Sequence, residues 1–259
     1  MRTETITSAQ NPKIKNLLLL QEKSKARREQ GLFVVEGRRE LEHCLEGGYE
    51  IKTVFYCPEI CFDIPELDCL FVELPIAIYK KVAYRDSTEG VIAEVAYKSL
   101  SLEDLQLPKN PLIVVLESVE KPGNLGAVLR SADAAGADAV LIGDPLTDLY
   151  NPNLIRASIG AVFTVPVVAA PSADIISFLK ARGIQILTAQ LQDSSLYYDV
   201  DMCRGTAIVM GTESTGLTSI WRAAADAHIR IPMLGRLDSL NVSVSAAILL
   251  FEAVRQRQG

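Results

Sequence analysis

The chain predicts an α/β protein built from two domains, and three observations carry that reading. Beyond residue 111, short β-branched runs alternate with helical patterns, the rhythm of a parallel sheet covered by helices. Before residue 98, helical patterns and short, weakly alternating strands read as a small α/β unit. Between them, Lys98–Pro111 carries Ser, Asp, Gln and two prolines with little apolar pattern, and reads as a linker. The predicted domains are therefore residues 1–104 and 105–259, and 259 residues suffice for a core in each.

Within the first domain, Asn11–Arg28 reads as one helix, with Pro12 in its first turn and an apolar block at Leu17–Leu20. Gly31 ends it. Leu32–Val35 is a short buried strand, and Glu36–Glu40 opens a helix that closes at Gly47 and Gly48. Ile51–Tyr56 alternates as a strand; the acidic, Pro-bearing stretch 57–70 offers no assignable element. Ile76–Arg85 is helical in pattern and Gly90–Ala96 is a strand.

In the second domain the strand–helix rhythm runs through Leu112–Leu116, Gly126–Ala135, Ala139–Ile142, Asn153–Gly160, Phe163–Val168, Ser172–Arg182 and Ile184–Ala189. It continues with Thr206–Met210, Leu217–Ala225 and Ile229–Ile231. A last helix follows, on which Ala246, Ala247, Leu250 and Val254 recur at helical spacing.

Composition narrows the function. With 49% hydrophobic and 22% charged residues the chain is of ordinary globular type. No run reaches 18 apolar residues and MRTETITSAQNPK has no apolar core, so a cytoplasmic protein without signal peptide or membrane span is expected. The five cysteines form no CxxC pair, and His43 and His228 stand in unrelated segments, so reduced thiols and no metal site are expected. Net charge is −6, but seven Lys/Arg against three acids leave +4 on the first 30 residues and −10 on the other 229. Such a basic cluster suits nucleic-acid contact, and a solvated helix face is the alternative reading.

Three constellations can carry chemistry. At Glu117–Gly136, ESVEKPGNLGAVLRSADAAG, a strand end turns through Pro-Gly into a helix. Its Gly123 and Gly126 form GxxG rather than GxGxxG, and no GK[ST] follows, which argues against a nicotinamide-type Rossmann site. Propensity alone makes Asn124 a cap and Arg130 a surface cation, roughly 120° apart on a straight helix. At Ala207–Leu217, AIVMGTESTGL, a buried strand meets Gly211, where a missing side chain would let backbone approach a ligand. Glu213 at the following helix start is also favourable on dipole grounds alone. At Ile231–Glu252, IPMLGRLDSLNVSVSAAILLFE, the residues Ser239, Asn241, Ser243 and Ser245 crowd one helix start. Ser239 is a good N-cap type, and an over-capped helix is one reading; a polar ligand at the free N–H groups is the other.

These segments, in this order, resemble motifs 1, 2 and 3 of the SpoU/TrmH family of RNA ribose 2′-O-methyltransferases in the SPOUT group. Thr212 and Ser214 depart from the commonest form of motif 2. Ser8–Lys13 and Phe33–Glu40 also resemble, more loosely, the N-terminal substrate-binding domain of many SpoU proteins. The resemblance implies a C-terminal parallel-sheet domain with a deep trefoil knot, an S-adenosyl-L-methionine cofactor, an RNA substrate and a homodimer with its site near the subunit interface.

By the same carry-over Arg130 is catalytic, with Asn124, Glu213, Ser239 and Asn241 orienting it and the ribose. Backbone at Gly211, Ile231 and Leu240, flanked by Met210, Thr212, Met233 and Gly235, is implied to hold the cofactor. Lys13, Lys15, Arg27, Arg28, Arg38 and Arg39 become candidate RNA contacts. A guanidinium is effectively always protonated, so Arg130 reads as an electrostatic stabiliser rather than a base. Ribosomal RNA of the 23S type is the expected substrate; a transfer-RNA methyltransferase and a catalytically idle RNA-binding or ribosome-assembly factor are the alternatives.

Overall fold

The structure, a computed structural model, describes residues 2–84, 89–212 and 215–258. The chain forms two compact units, residues 1–98 with 149–164, and residues 99–148 with 165–259. The grouping by contacts breaks after residue 98, where the expected boundary stood at residue 104, and it differs in a second respect. Segment 149–164, read from sequence as part of the second domain, is grouped by its contacts with the first unit.

The elements of the first stretch are β1 (Arg2–Thr5), α1 (Pro12–Glu22), α2 (Ser24–Gln30), β2 (Leu32–Glu36), α3 (Arg38–Glu46), β3 (Ile51–Tyr56), β4 (Leu70–Glu73), α4 (Ile76–Val82) and β5 (Val91–Ala96). The sheet order is β1-β4-β3-β5-β2. β1, β4 and β3 run parallel, while β5 is antiparallel to both β3 and β2. Ile14, Leu17 and Leu20 of α1 bury fully against Phe55, Val72, Tyr79 and Ile92.

Two expectations change here. The single helix Asn11–Arg28 breaks at Lys23, whose φ −110° and ψ 108° are extended. Arg27 accounts for the break. Its side chain is 1% exposed, and Nη1 donates to the carbonyls of Leu20 (2.7 Å) and Gln21 (3.1 Å), both at the end of α1. A guanidinium that satisfies terminal carbonyls stabilises a helix end at that point. The second change is that β1 and β4, which have no sequence counterpart, are strands. β1 is an edge strand, mostly exposed, with no apolar alternation to announce it. The end of the expected helix at Arg85 lies outside the described residues.

The second unit opens with β6 (Leu112–Glu117), α5 (Pro122–Ala134) and β7 (Ala139–Gly143). The chain then contributes α6 (Pro152–Ser158) and α7 (Ala161–Thr164) to the first unit. There Phe33 stacks on Tyr150 at 4.1 Å between ring centroids, and Phe163 lies 5.8 Å from Phe33. Phe163, expected in a strand, is therefore helical, and the strand begins only at Val167.

The remaining elements are β8 (Val167–Ala170), α8 (Ser172–Ala181), β9 (Gln185–Ala189), the two-residue β10 (Ser195–Leu196), β11 (Thr206–Met210), α9 (Ser219–Ala224), β12 (Ala227–Arg230) and α10 (Val242–Gln258). Seven strands stand in the order β10-β12-β9-β11-β6-β7-β8, every pair parallel. All six residues of β6 are buried, the continuous run expected of a strand covered on both faces.

Ile113, Val115, Ala207 and Val209 pack with α8 and α9 through Ile175, Leu179 and Trp221. On α10, Ala246, Leu249, Leu250 and Ala253 are buried, and this helix packs on α5 and β11. Arg257 pins its far end by donating to the carbonyls of Met202, Asn110, Pro111 and Arg204, at 2.8–3.1 Å.

Among the described residues, no helix is long and apolar enough to cross a membrane. Nor do three or more His, Cys, Asp or Glu cluster to hold a metal among them.

Candidate active site

Because all strands of the second unit are parallel, their carboxyl ends lie on one edge of the sheet, the usual place for a ligand in such folds. Four neighbouring strands, β12, β9, β11 and β6, deliver their following loops to that edge. A cleft of about 650 Å³ opens there. Met210, Gly211 and Thr212 line it from the β11 loop, with Thr215, Gly216 and Leu217 after them. Ile231, Met233, Ser239, Leu240 and Asn241 line it from the β12 loop. Gly235 sits on the exposed part of that loop, outside the lining, with nothing within 4 Å of the place a Cβ would take.

The β11 loop is folded tightly on itself. Gly216 N–H donates to Thr212 O (3.1 Å), Thr215 N–H donates to Thr212 Oγ1 (3.1 Å), and Gly216 has φ +67°. A Cβ on Gly211 would meet Gly216 C and O at 2.3 Å and Leu217 N at 2.6 Å. Gly211 is thus required by the return of its own loop, and it also lines the cleft, where its bareness was expected to let backbone approach a ligand. Glu213 lies outside the described residues.

Motif 1 is tied to this loop by a carboxylate. Glu117 ends β6, is 2% exposed, and accepts hydrogen bonds from Thr218 N–H (2.8 Å) and Thr218 Oγ1 (2.5 Å). A buried carboxylate satisfied by two donors fixes the relative position of both segments. α5 then begins at Pro122, which places Asn124 third in the helix rather than at its cap.

The helix start of motif 3 is capped by Asn241 instead of Ser239. Asn241 Oδ1 accepts from Ser243 N–H (2.9 Å) and Ser243 Oγ (2.6 Å), while Ser239 Oγ donates to Asp238 (3.2 Å). With its oxygen engaged in the cap, Asn241 points Nδ2 at Asn124 Oδ1, 3.2 Å away. That bond joins motif 1 to motif 3 across 117 residues. Arg130 is exposed on α5 and stands outside the cleft lining.

In the first unit the candidate cations sort by environment. Lys15 and Arg28 are exposed, and Arg28 Nη1 donates to Ser24 Oγ (2.6 Å). Lys13 pairs with Glu4. Arg38 binds Asp63 (2.8 Å) and Glu42 (3.1 Å), which raise its pKa, the Asp63 bond foremost. Arg39 lies 3.6 Å from Glu40. Arg27 does not belong in this group: buried and committed to two backbone carbonyls, it is a structural cation.

The family model for SpoU rRNA methylases matches residues 111–251, and one for the MRM3-like substrate-binding domain matches residues 11–93. The chain belongs to the SpoU rRNA methylase family. It is similar to the 23S rRNA (guanosine(2553)-2′-O)-methyltransferase RlmP of Bacillus subtilis (strain 168), 30% identical over 95% of this chain and 97% of that one. The 23S rRNA (guanosine-2′-O-)-methyltransferase RlmB of Bordetella pertussis is 39% identical over 66% of this chain and 72% of its own. Among solved structures, the AdoMet-bound rRNA methyltransferase of Sinorhizobium meliloti superposes with a TM-score of 0.89 at 31% identity, covering 98% of both chains.

S-adenosylmethionine is the methyl donor of this SpoU protein, and the cleft fits it. Met210, Leu217, Ile229, Ile231, Met233 and Leu249 offer apolar walls for the nucleoside, and the loops around them supply backbone polar groups. Beside the loops of motifs 2 and 3, the motif reading missed a third wall of this site. Ala189–Gln192, following β9, lines the cleft because β9 stands between β11 and β12. The strand itself is legible in the sequence, but its neighbours are not.

Proposed function

We infer that this protein transfers a methyl group from S-adenosylmethionine to a ribose 2′-oxygen of 23S ribosomal RNA. The observation that supports this best is the Asn241–Asn124 bond, which brings motif 1 to the rim of a cleft lined by motifs 2 and 3. When bound, S-adenosylmethionine supplies an activated methyl and its own leaving group. The chain's task is then to hold the ribose oxygen in line and to stabilise the charge that develops on it.

Arg130 carries that charge stabilisation and holds the neighbouring phosphate, a role that suits the planar, multi-donor guanidinium group. Asn124, Asn241, Ser239 and Glu213 orient the ribose and the arginine. Gly211, Ile231 and Leu240 hold the cofactor through backbone groups, with Met210, Thr212 and Met233 beside them.

Residues 1–104 act as the RNA-binding domain through Lys13, Lys15, Arg28, Arg38 and Arg39, and residues 105–259 as the methyltransferase domain. The working form is a cytoplasmic homodimer. Two features support the dimer: Arg130 stands outside the cleft of a single chain, and Leu234, Leu237, Val244 and Phe251 are exposed around motif 3 and α10.

The test is transfer of labelled methyl from S-adenosylmethionine to ribosomal and transfer RNA from cells lacking the gene, beside Arg130→Ala. Alkali-resistant 2′-O-methyl nucleotides in 23S RNA, absent with the variant, are expected. Label confined to transfer RNA would overturn the substrate, and cofactor binding without transfer to either RNA would overturn the activity.

A further inference from the structure

The acidic, Pro-bearing stretch 57–70 has no legible periodicity, yet its start is held firmly in the first unit. Cys57 N–H donates to Gly90 O (2.9 Å), and the N–H groups of Ile60 and Cys61 donate to Cys57 O (3.0 and 2.8 Å), closing a turn. Gly90, at φ +78°, lets that turn pack close, since a Cβ there would meet Cys61 N and Cβ at 2.8 Å. Asp63 in turn accepts from Arg38 Nη2 (2.8 Å) at the start of α3. Phe62 stands between these two anchors, and it is 88% exposed.

A single exposed ring needs no explanation by itself. This one lines a cavity of about 470 Å³, in the size range of small-ligand sites, together with Arg38, Arg39, Glu42, Asp63 and Glu89. The charges there are ordered. Glu42 and Asp63 accept from the Arg38 guanidinium, and Glu89 accepts from the Arg38 backbone N–H. A carboxylate that accepts one hydrogen bond has room for more, so the cavity sets acceptors beside an aromatic face. Such a lining repels a phosphate placed within it and suits the N–H edge of a nucleobase. Arg39, half-exposed and 3.6 Å from Glu40, is a cation that a phosphate outside the lining can reach.

We propose that this cavity binds one unpaired nucleotide of the RNA substrate, its base stacked on Phe62, its N–H edge turned to the carboxylates and its phosphate on Arg39. The proposal rests on the functional reading above and names what the first unit recognises in the RNA. A base within a duplex is already stacked and paired, so the site separates loops and bulges from helices.

The experiment is fluorescence-anisotropy binding of the full chain to a single-stranded RNA of about 12 nucleotides and mixed sequence, and to the same strand in a duplex, across a salt series. Wild type is compared with Phe62→Ala, Phe62→Leu, Phe62→Trp and Arg39→Ala, and thermal melting checks the fold of each.

Phe62→Ala and Phe62→Leu should each bind the single strand about tenfold more weakly, with salt slope and duplex binding unchanged. Phe62→Trp should bind as the wild type does. Its added emission should be quenched by the single strand, whereas Trp221, the chain's own tryptophan, is fully buried. Arg39→Ala should lower the salt slope by about one unit. The proposal is overturned if Phe62→Ala binds the single strand within about twofold of the wild type, if leucine replaces the ring without loss, if duplex binding falls as far, or if Arg39→Ala keeps the wild-type slope. A changed oligomeric state in Phe62→Ala with RNA binding intact would assign the ring to a protein contact and overturn it too. A wild-type chain that binds neither RNA overturns the reading of the first unit as an RNA-binding domain, and this assignment with it.

Discussion

In the second unit the decisive polar side chains bond to one another across the motifs, Glu117 to Thr218 and Asn241 to Asn124. In the first unit several of the cations pair with acids close by, Lys25 with Glu29, Arg38 with Glu42 and Asp63, Arg39 with Glu40. The two patterns differ in strength and in consequence. Ion pairs on the surface contribute roughly 0–1 kcal/mol each, so an RNA phosphate can displace the acid at little cost. A buried carboxylate with two donors cannot be exchanged in that way, and it holds two loops in one register. Burial, rather than pairing, separates the cations that a solute can reach from those it cannot, and Arg27 is of the second kind.

Arg130→Ala probes that comparison with the largest expected effect, a fall of about 100- to 1000-fold in methyl transfer with S-adenosylhomocysteine affinity held within threefold. A loss under tenfold would place charge stabilisation on another group. Gly211→Ala comes next. Its methyl would run into the Gly216 backbone at 2.3 Å, so the loop must shift, at a cost of about 1–3 kcal/mol in the melt together with weaker cofactor binding. Unchanged melting and binding would show that the loop relaxes without cost.

A matched pair separates structural from RNA-facing cations. Arg27→Ala should destabilise the protein by about 2–3 kcal/mol, because Leu20 and Gln21 lose a charged donor. Arg28→Ala should leave the melt in place and lower the salt dependence of RNA binding by about one unit of slope. Equal melting of the two variants would contradict the division drawn here.

Asn241 tests the bond between motifs. Asn241→Asp keeps the oxygen that caps α10 and removes the Nδ2 donor to Asn124, so stability should hold while kcat falls. Asn241→Ala should lose about 1 kcal/mol of stability as well. If the aspartate variant turned over at the wild-type rate, the Asn124 bond would have no part in the reaction.

The smallest effect concerns Glu94 in β5. Burial raises its carboxyl above the usual range, against opposing hydrogen bonds with Thr53 and Asn16 and the charge of Lys13. A carboxyl whose folded pKa lies above its unfolded value favours the fold at low pH, and that contribution is lost as pH rises through the folded value. Glu94→Gln should therefore melt higher near neutral pH, by about 2 °C, with the gap closing below about pH 4. A gap that is constant with pH would mean that Glu94 is not protonated preferentially in the fold.

Much of this protein is legible without coordinates. The all-parallel strands, the long apolar helix α10 and the three loop segments follow from periodicity, turn residues and motif spacing, because these are local properties of the chain. Asn124, Arg130, Ser239 and Asn241 are singled out by the resemblance to the SpoU motifs, since propensity alone reads Asn124 as a cap and Arg130 as a surface cation. What only the tertiary structure decided are the pairings that no local pattern encodes. β1 and β4 are strands because each finds a partner, the helix at Lys23 breaks because Arg27 reaches back to its carbonyls, and segment 149–164 packs its aromatic rings on Phe33. The cleft wall at Ala189–Gln192 belongs with these, because it arises from the strand order β12-β9-β11, a relation between residues far apart that a one-dimensional pattern does not carry.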